Sequence, residues 1–196
     1  AGVMAGEENV SRQFHLPAQS GSDNVLRAMS RGYTRGEYMN KVRMLRDLMP
    51  DIVLSTDMIA GFPGETPEDF QESVSLMEEI RFDYAFLFRY SERKGTTALE
   101  IKPPVPVQER LRRLSVLQDL QTAITLERSR ALLGRTMEVL VTGPAKGEGQ
   151  TASRTRGNRM VILKGLEHRP GEVLDVKITG ADGYTHFGEP VSPPVR

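Results

Sequence analysis

The 196-residue sequence contains no cysteine. That absence excludes disulfides, thiolate nucleophiles and cysteine-held metal from this chain, and it suits a cytoplasmic setting. Net charge is also absent, with 26 basic and 26 acidic residues, so the total favours no particular partner. No stretch reaches the roughly 18–20 apolar residues of a membrane span and no signal-peptide pattern opens the chain, so no membrane partner is expected. Histidine is scarce: His15, His168 and His186 lie far apart without ligand spacing, which argues against a histidine metal centre. His15, in a first strand, is expected to point inward, and the other two to lie at the surface.

Charge of one sign does concentrate locally. From Arg128 to Lys164 there are eight bases against two acids, a block that can attract phosphate or form a solvated face. Upstream, the chain repeats one pattern: a short apolar strand, a Gly/Ser/Pro turn, then an amphipathic helix. "FHLPAQSGSDN" (14–24) leads to a helix near 23–30. A second helix opens at Thr34 with Glu37 as a capping box and carries Tyr38, Val42, Leu45 and Met49 at helical spacing. "DIVLSTDMIAGFPGET" (51–66) is the next strand and turn. Thr66 is placed to cap the following helix, Pro67 to open it, and Phe70, Val74, Met77 and Ile80 to form its stripe. "DYAFLFRYSERKGTT" (83–97) supplies the third strand.

Strands apolar on both faces, alternating with helices, predict a parallel α/β sheet whose ligands bind at the carboxyl ends of the strands. Those ends hold Gln19 to Ser22, Gly61 to Glu65, and Tyr90 to Arg93. Turns of this kind favour Gly, Ser and Pro in any case, so composition alone leaves open whether they form a site. Three strands neither close a barrel nor complete a sheet, and the first would stand at an unpaired edge. The expectation is therefore the C-terminal half of a TIM-like (β/α) barrel over 1–105. After the proline-rich "KPPVPV" a connecting helix is expected within 106–133. Its apolar face would be Leu111, Leu114, Leu117, Leu120 and Ile124, with Arg110, Arg112, Arg113 and Asp119 largely off it, and Gly134 would stop it. Beyond, five short strand-like runs punctuated by glycine predict a small antiparallel OB-like barrel over 134–196.

"HLPAQSGSDNVLRAMSRGYTRGEY", "STDMIAGFPGETPEDF" and "FDYAFLFRYSERKGTTA", in this order and spacing, resemble the tRNA methylthiotransferases of the radical S-adenosylmethionine superfamily, MiaB type. "SRTRGNRMVILKG" and "GEVLDVKITGADGYTHFGEP" resemble that family's TRAM domain. The resemblance runs from about Asn9 to Pro190. It implies a parent enzyme with two [4Fe-4S] clusters, one held by a CxxxCxxC loop and cleaving S-adenosylmethionine to a 5′-deoxyadenosyl radical. Hydrogen is then taken from adenine C2 of an isopentenylated adenosine beside the anticodon, sulfur is inserted, and a second S-adenosylmethionine gives the methyl group. The implied partners are the tRNA anticodon stem-loop and the missing N-terminal half of the same enzyme. This sequence has no cysteine to ligate either cluster, and Ser11 stands where many relatives carry one. The chain alone is therefore expected to be inactive. Two alternatives stand beside this reading: a sister methylthiotransferase acting on threonylcarbamoyladenosine tRNA or on a ribosomal protein, and a non-catalytic RNA-binding module.

The resemblance directs attention to particular residues. Gly61 and Gly64 would let backbone approach an adenine or ribose edge, and Phe62 would pack against the base. Asp57 would aim a carboxylate at the barrel's mouth, and Gln19 and Ser20 would meet the amino-acid part of the cofactor or the substrate base. Glu65 is read mainly as a helix starter, favoured by the dipole. Arg93 is either a phosphate or carboxylate ligand or a plain surface residue, and Phe82, Phe86 and Phe88 are expected in the core. In the tail, Arg135, Arg154, Arg156, Asn158, Arg159 and Lys164 are expected to rim the small barrel and follow an RNA backbone, with Tyr184 or Phe187 stacking on a base.

Overall fold

The structure, a computed structural model, describes residues 1–7, 9–164 and 168–191. Residues 165–167 and 192–196, part of the expected small barrel, lie outside the described residues. The chain divides into two compact units, one of 14–50 and 54–124, the other of 1–13, 51–53 and 125–196.

The α/β part is built as the alternating pattern requires. Three strands, β1 (Gln13–His15), β2 (Val53–Ala60) and β3 (Tyr84–Arg89), form a sheet in the order β1-β2-β3. β2 and β3 run parallel, with Asp57 opposite Phe86 and Ala60 opposite Arg89. After a first short helix, α1 (Gly2–Gly6), come α2 (Asp23–Ala28), α3 (Arg35–Leu48) and α4 (Pro67–Ile80). Thr34 and Glu37 make the expected capping box; Thr66 caps α4 with Asp69 as its reciprocal partner, and Pro67 is the first helical residue. The stripes Tyr38-Val42-Leu45-Met49 and Phe70-Val74-Met77-Ile80 are all buried, as spacing on one helical face demands.

Two expectations are corrected. Phe86 and Phe88 are 57% and 51% exposed, whereas Phe82 is fully buried. Successive residues of a strand face opposite sides, and Phe86 and Phe88 share the side of β3 that is exposed. On α5 (Val107–Arg130) the buried stripe between 107 and 124 is Arg110, Arg113, Leu117, Gln121 and Ile124, while Leu111 is 44% exposed. Leu117 and Ile124 take the core positions expected of them, but Arg110, Arg113 and Gln121 stand where Leu111, Leu114 and Leu120 were expected, because a polar side chain with enough partners can take a core position that hydropathy assigns to its neighbour.

The second unit contains a closed five-stranded barrel, β4 (Thr136–Pro144), β5 (Gln150–Thr155), β6 (Met160–Lys164), β7 (Val173–Asp182) and β8 (Thr185–Pro190), in the order β4-β5-β6-β8-β7. Alternation puts Val139, Val141, Val161, Leu163, Leu174, Val176 and Ile178 inside, each adding about 1.5–3 kcal/mol of burial. The barrel is not wholly antiparallel, since β6 and β8 pair in parallel. His186 is another correction: it is 1% exposed, and its Nδ1 lies 3.3 Å from the Met160 carbonyl. Burial lowers its pKa below the ordinary histidine value. The His168 side chain is also buried, with Nδ1 3.1 Å from Glu172 Oε2.

Candidate cofactor pocket and RNA face

The carboxyl ends of β2 and β3 open onto a pocket of about 640 Å³ whose lining includes Gln19, Asp57, Ile59, Phe62, Tyr90 and Met29. Gln19 reaches it through a left-handed backbone (φ 68), fixed because its amide bonds the Asp57 carbonyl at 2.8 Å and its carbonyl accepts the Ile59 amide at 2.9 Å. Asp57 lies 3.4 Å from His15 Nε2, and His15 Nδ1 lies 2.9 Å from Ser55 Oγ. His15, Ser55 and Asp57 thus form one polar track on the uncovered side of the sheet. Phe62 and Tyr90 meet edge to face with centroids 5.3 Å apart and pack with Val25, a geometry favoured by the ring quadrupoles.

The other three cofactor candidates lie outside that lining. Ser20 is buried, with its hydroxyl 3.2 Å from Ser73 Oγ. It serves the joint between the Gln19–Ser22 turn and α4. In that joint the Gly21 amide donates to Ser73 Oγ at 2.9 Å, and a Cβ on Gly21 would come within 2.3 Å of the Glu72 carbonyl. Ser22 and Asn24 donate to Asp69. Gly61 (φ 76) and Gly64 (φ 79) let other parts of the chain approach. A Cβ on Gly61 would stand 2.5 Å from Arg110 Cγ, and one on Gly64 would stand 3.2 Å from Ile101 Cγ2. Their amides donate to Glu65 Oε2 (2.7 Å) and the Pro103 carbonyl (2.9 Å).

Glu65 is more than a helix starter. Its carboxylate and the Arg113 guanidinium pair at 2.6 Å with side-chain exposures of 0% and 4%. Arg113 also donates to the Glu65 carbonyl and to Glu109, and lies over the Phe70 ring. Burial raises the Glu65 pKa, and the hydrogen bonds from Arg113 and Gly61 oppose that rise. Glu109, bonded by Arg112 and Arg113, is held down to about 2. Arg110 spans the strand tips: Nε donates to the Val105 carbonyl (2.6 Å), Nη1 to Tyr90's (3.4 Å) and Nη2 to Glu92 (3.1 Å). Arg110 and Arg113 escaped sequence reasoning, and apart from the glycine at position 61 nothing in the sequence signals them.

On the small barrel the six basic-rim candidates do not form one surface. Arg154, Arg156 and Asn158 line a groove of about 610 Å³ together with residues of the 9–13 segment. Arg154 Nη1 donates to Asn158 Oδ1 (2.9 Å), Asn158 Nδ2 donates to Gln13 Oε1 (2.7 Å), and the Arg156 carbonyl accepts the Arg12 amide (2.8 Å). Arg159 is buried and so does not belong to an exposed rim. Its amide closes the tight turn by donating to Thr155 Oγ1. Lys164 stands over the Phe187 ring at 5.6 Å, a cation–π contact, and Arg135 is exposed just before β4.

Comparison with known proteins agrees with this geometry. Residues 6–77 match the radical SAM superfamily, and residues 130–191 match the TRAM domain. This is the class that a parallel sheet with a strand-end pocket and a closed small barrel define. Proteins named tRNA-2-methylthio-N(6)-dimethylallyladenosine synthase are 45% identical in Symbiobacterium thermophilum, 43% in Parabacteroides distasonis and 44% in Porphyromonas gingivalis. The alignments cover 98%, 96% and 98% of this chain and 41%, 42% and 42% of those relatives. The chain belongs to the MiaB-type methylthiotransferase family of the radical SAM superfamily, and it spans about two fifths of the length of the relatives it matches. A solved radical SAM enzyme, coproporphyrinogen III oxidase from Escherichia coli, superposes at TM-score 0.49 and 16% identity over 86% of this chain and 41% of its own, a likeness too weak to argue from.

The pocket fits S-adenosylmethionine in kind. It has the size of a small-ligand site, apolar walls for a base in Ile59 and Phe62, and polar groups for a ribose or amino-acid moiety in Asp57 and Gln19. An iron–sulfur cluster does not fit the donor set, for the chain has no thiolate and the described residues hold no group of three or more His, Asp or Glu placed for a metal.

Proposed function

We propose that this chain forms part of a tRNA-2-methylthio-N6-dimethylallyladenosine synthase, which places a methylthio group on adenine C2 beside the anticodon. The observation that carries the reading is the convergence of Gln19, Asp57 and Phe62, from two successive strand ends, on one pocket, in a chain whose relatives bear that enzyme's name. Bound S-adenosylmethionine supplies hydrogen-atom abstraction and the methyl group. The chain's own residues bind and orient it: Phe62 and Ile59 hold the adenine, Asp57 accepts from ribose hydroxyls or the ammonium, and Gln19 fixes the remaining polar end. Tyr90 and Met29 exclude water from one wall.

The clusters of the full enzyme belong, in this reading, to the part of the relatives' length that this chain does not span, and the chain without them does not turn over. Domain limits of 1–105, 106–133 and 134–196 are proposed on the same footing. The small barrel binds the tRNA anticodon stem-loop through Arg154, Arg156 and Lys164. A cytoplasmic setting is proposed with it; among the described residues no helix is long and apolar enough to cross a membrane.

Asp57→Ala in the full-length enzyme tests the pocket. Equilibrium dialysis should show S-adenosylmethionine binding weakened at least about tenfold, or about 1.4 kcal/mol. Unaltered binding and turnover would remove Asp57 from the site.

A further inference from the structure

Of the charged side chains that line the strand-end pocket, Asp57 is the one acid, against Arg31, Arg89 and Arg93. All three arginines are exposed. Among the described residues none of their side chains makes a hydrogen bond or an ion pair, whereas Arg110 and Arg113 nearby are fully engaged. Arg31 follows Ser30, whose left-handed backbone (φ 56) turns the chain after α2. Arg93 sits in a turn tied by Thr96, whose amide and hydroxyl both donate to the Arg93 carbonyl at 3.3 and 2.8 Å. The two arginines come from separate loops, and each loop is held locally.

We propose that Arg31 and Arg93 bind backbone phosphates of the RNA strand that carries the target nucleoside into the pocket. This rests on the reading of the pocket as a nucleoside-modifying site, and the charges lead to it. S-adenosylmethionine carries one carboxylate, one ammonium and one sulfonium, so its arrival adds positive charge to a lining already richer in cations. The other substrate complements that excess, for RNA brings one negative charge per phosphate. Guanidinium groups suit them because they bond phosphate oxygens in pairs. The hydroxyls of Ser30 and Ser91, also in the lining, add donors that carry no charge.

The test uses the 196-residue chain and an anticodon stem-loop RNA, with S-adenosylmethionine omitted, and measures binding by fluorescence anisotropy across a potassium chloride series. The double variant R31A/R93A should keep the wild-type melting temperature, since both side chains are exposed. It should bind more weakly, with a log–log salt slope shallower by about 1.4, or roughly 0.7 per cation lost on a single strand. R43A removes an exposed arginine of α3 that bonds Asn40, outside the pocket lining, and should leave the slope unchanged. A slope in R31A/R93A equal to wild type, or an equal loss in R43A, would overturn the proposal. A third arm measures S-adenosylmethionine affinity of R31A/R93A in the full-length enzyme. Lost cofactor affinity with an intact RNA slope would assign the pair to the cofactor's carboxylate and also overturn it. A wild-type enzyme that fails to bind S-adenosylmethionine would defeat the cofactor reading while the RNA slope still decides the phosphate site.

Discussion

Glu65 and Arg113 show how a single side chain can decide the local structure. Moving both charges out of water costs several kcal/mol each, which their mutual attraction and extra hydrogen bonds must offset. Here Arg113 also bonds the Glu65 carbonyl and Glu109, and Glu65 takes the Gly61 amide, although Glu65 Oε1 has no hydrogen-bond partner among the described residues. Arg113→Met should therefore cost about 3–5 kcal/mol in urea unfolding, because it leaves a buried carboxylate alone. Adding Glu65→Gln should return a large part of that loss, since the two sites are coupled. Equal losses in single and double variants would mean that the pair contributes only packing. Residues of this kind were the least legible in the sequence. Glu65 shows a helix-start signal that is locally sufficient, and its true partner lies 48 positions away. His186 looked like a surface residue because a lone histidine in a strand carries no sign of which face it takes. Asp57, by contrast, carried a signal, since an acid inside an apolar strand needs a reason to be there; it lines the pocket, and its role there is what Asp57→Ala tests.

At the scale of elements, the turn after β2 and the helix α5 explain each other. Gly61 combines a left-handed backbone with a side of the turn occupied by Arg110. A side chain there meets backbone strain of about 1–2 kcal/mol and a steric clash in addition. Gly61→Ala should lower stability by at least ~2 kcal/mol. Gly32→Ala, at a glycine with nothing within 4 Å and no positive φ, should stay within about 0.5 kcal/mol, by the same urea titration. Comparable effects at both positions would refute the contact with Arg110. Helices and strands were read well where the apolar period was clean, as in α3 and α4, and where caps marked the ends. α5 misled in part, because its leucines repeat at helical spacing while three of the core-facing positions, Arg110, Arg113 and Gln121, are polar. The serine-rich turn misled for a related reason: Ser20 and Gly21 fit a ligand-binding turn, and equally fit a tight joint to α4.

The whole molecule sets a strand-end pocket in one compact unit and a closed small barrel in the other. The partial α/β sheet and the small barrel were both legible, because alternating periods and glycine punctuation are properties of long segments and survive local error. The face of β3 bearing Phe86 and Phe88 was not, since strand apolarity says that both sides avoid water without saying what covers each. The basic tail was legible as composition but not as geometry; Arg159 is buried, while Arg154 stays exposed and holds Asn158. The central claim is that the pocket serves the C2 modification of an isopentenylated adenosine. The most direct measurement is mass spectrometry of an isopentenylated anticodon stem-loop after anaerobic incubation with the reconstituted full-length enzyme, S-adenosylmethionine, a reductant and a sulfide source. The account predicts an adenosine heavier by one methylthio group, its yield lowered together with S-adenosylmethionine cleavage by Asp57→Ala at subsaturating S-adenosylmethionine. A stem-loop of unchanged mass while S-adenosylmethionine is still cleaved, or a methylthio group placed instead on a threonylcarbamoyladenosine RNA, would contradict it.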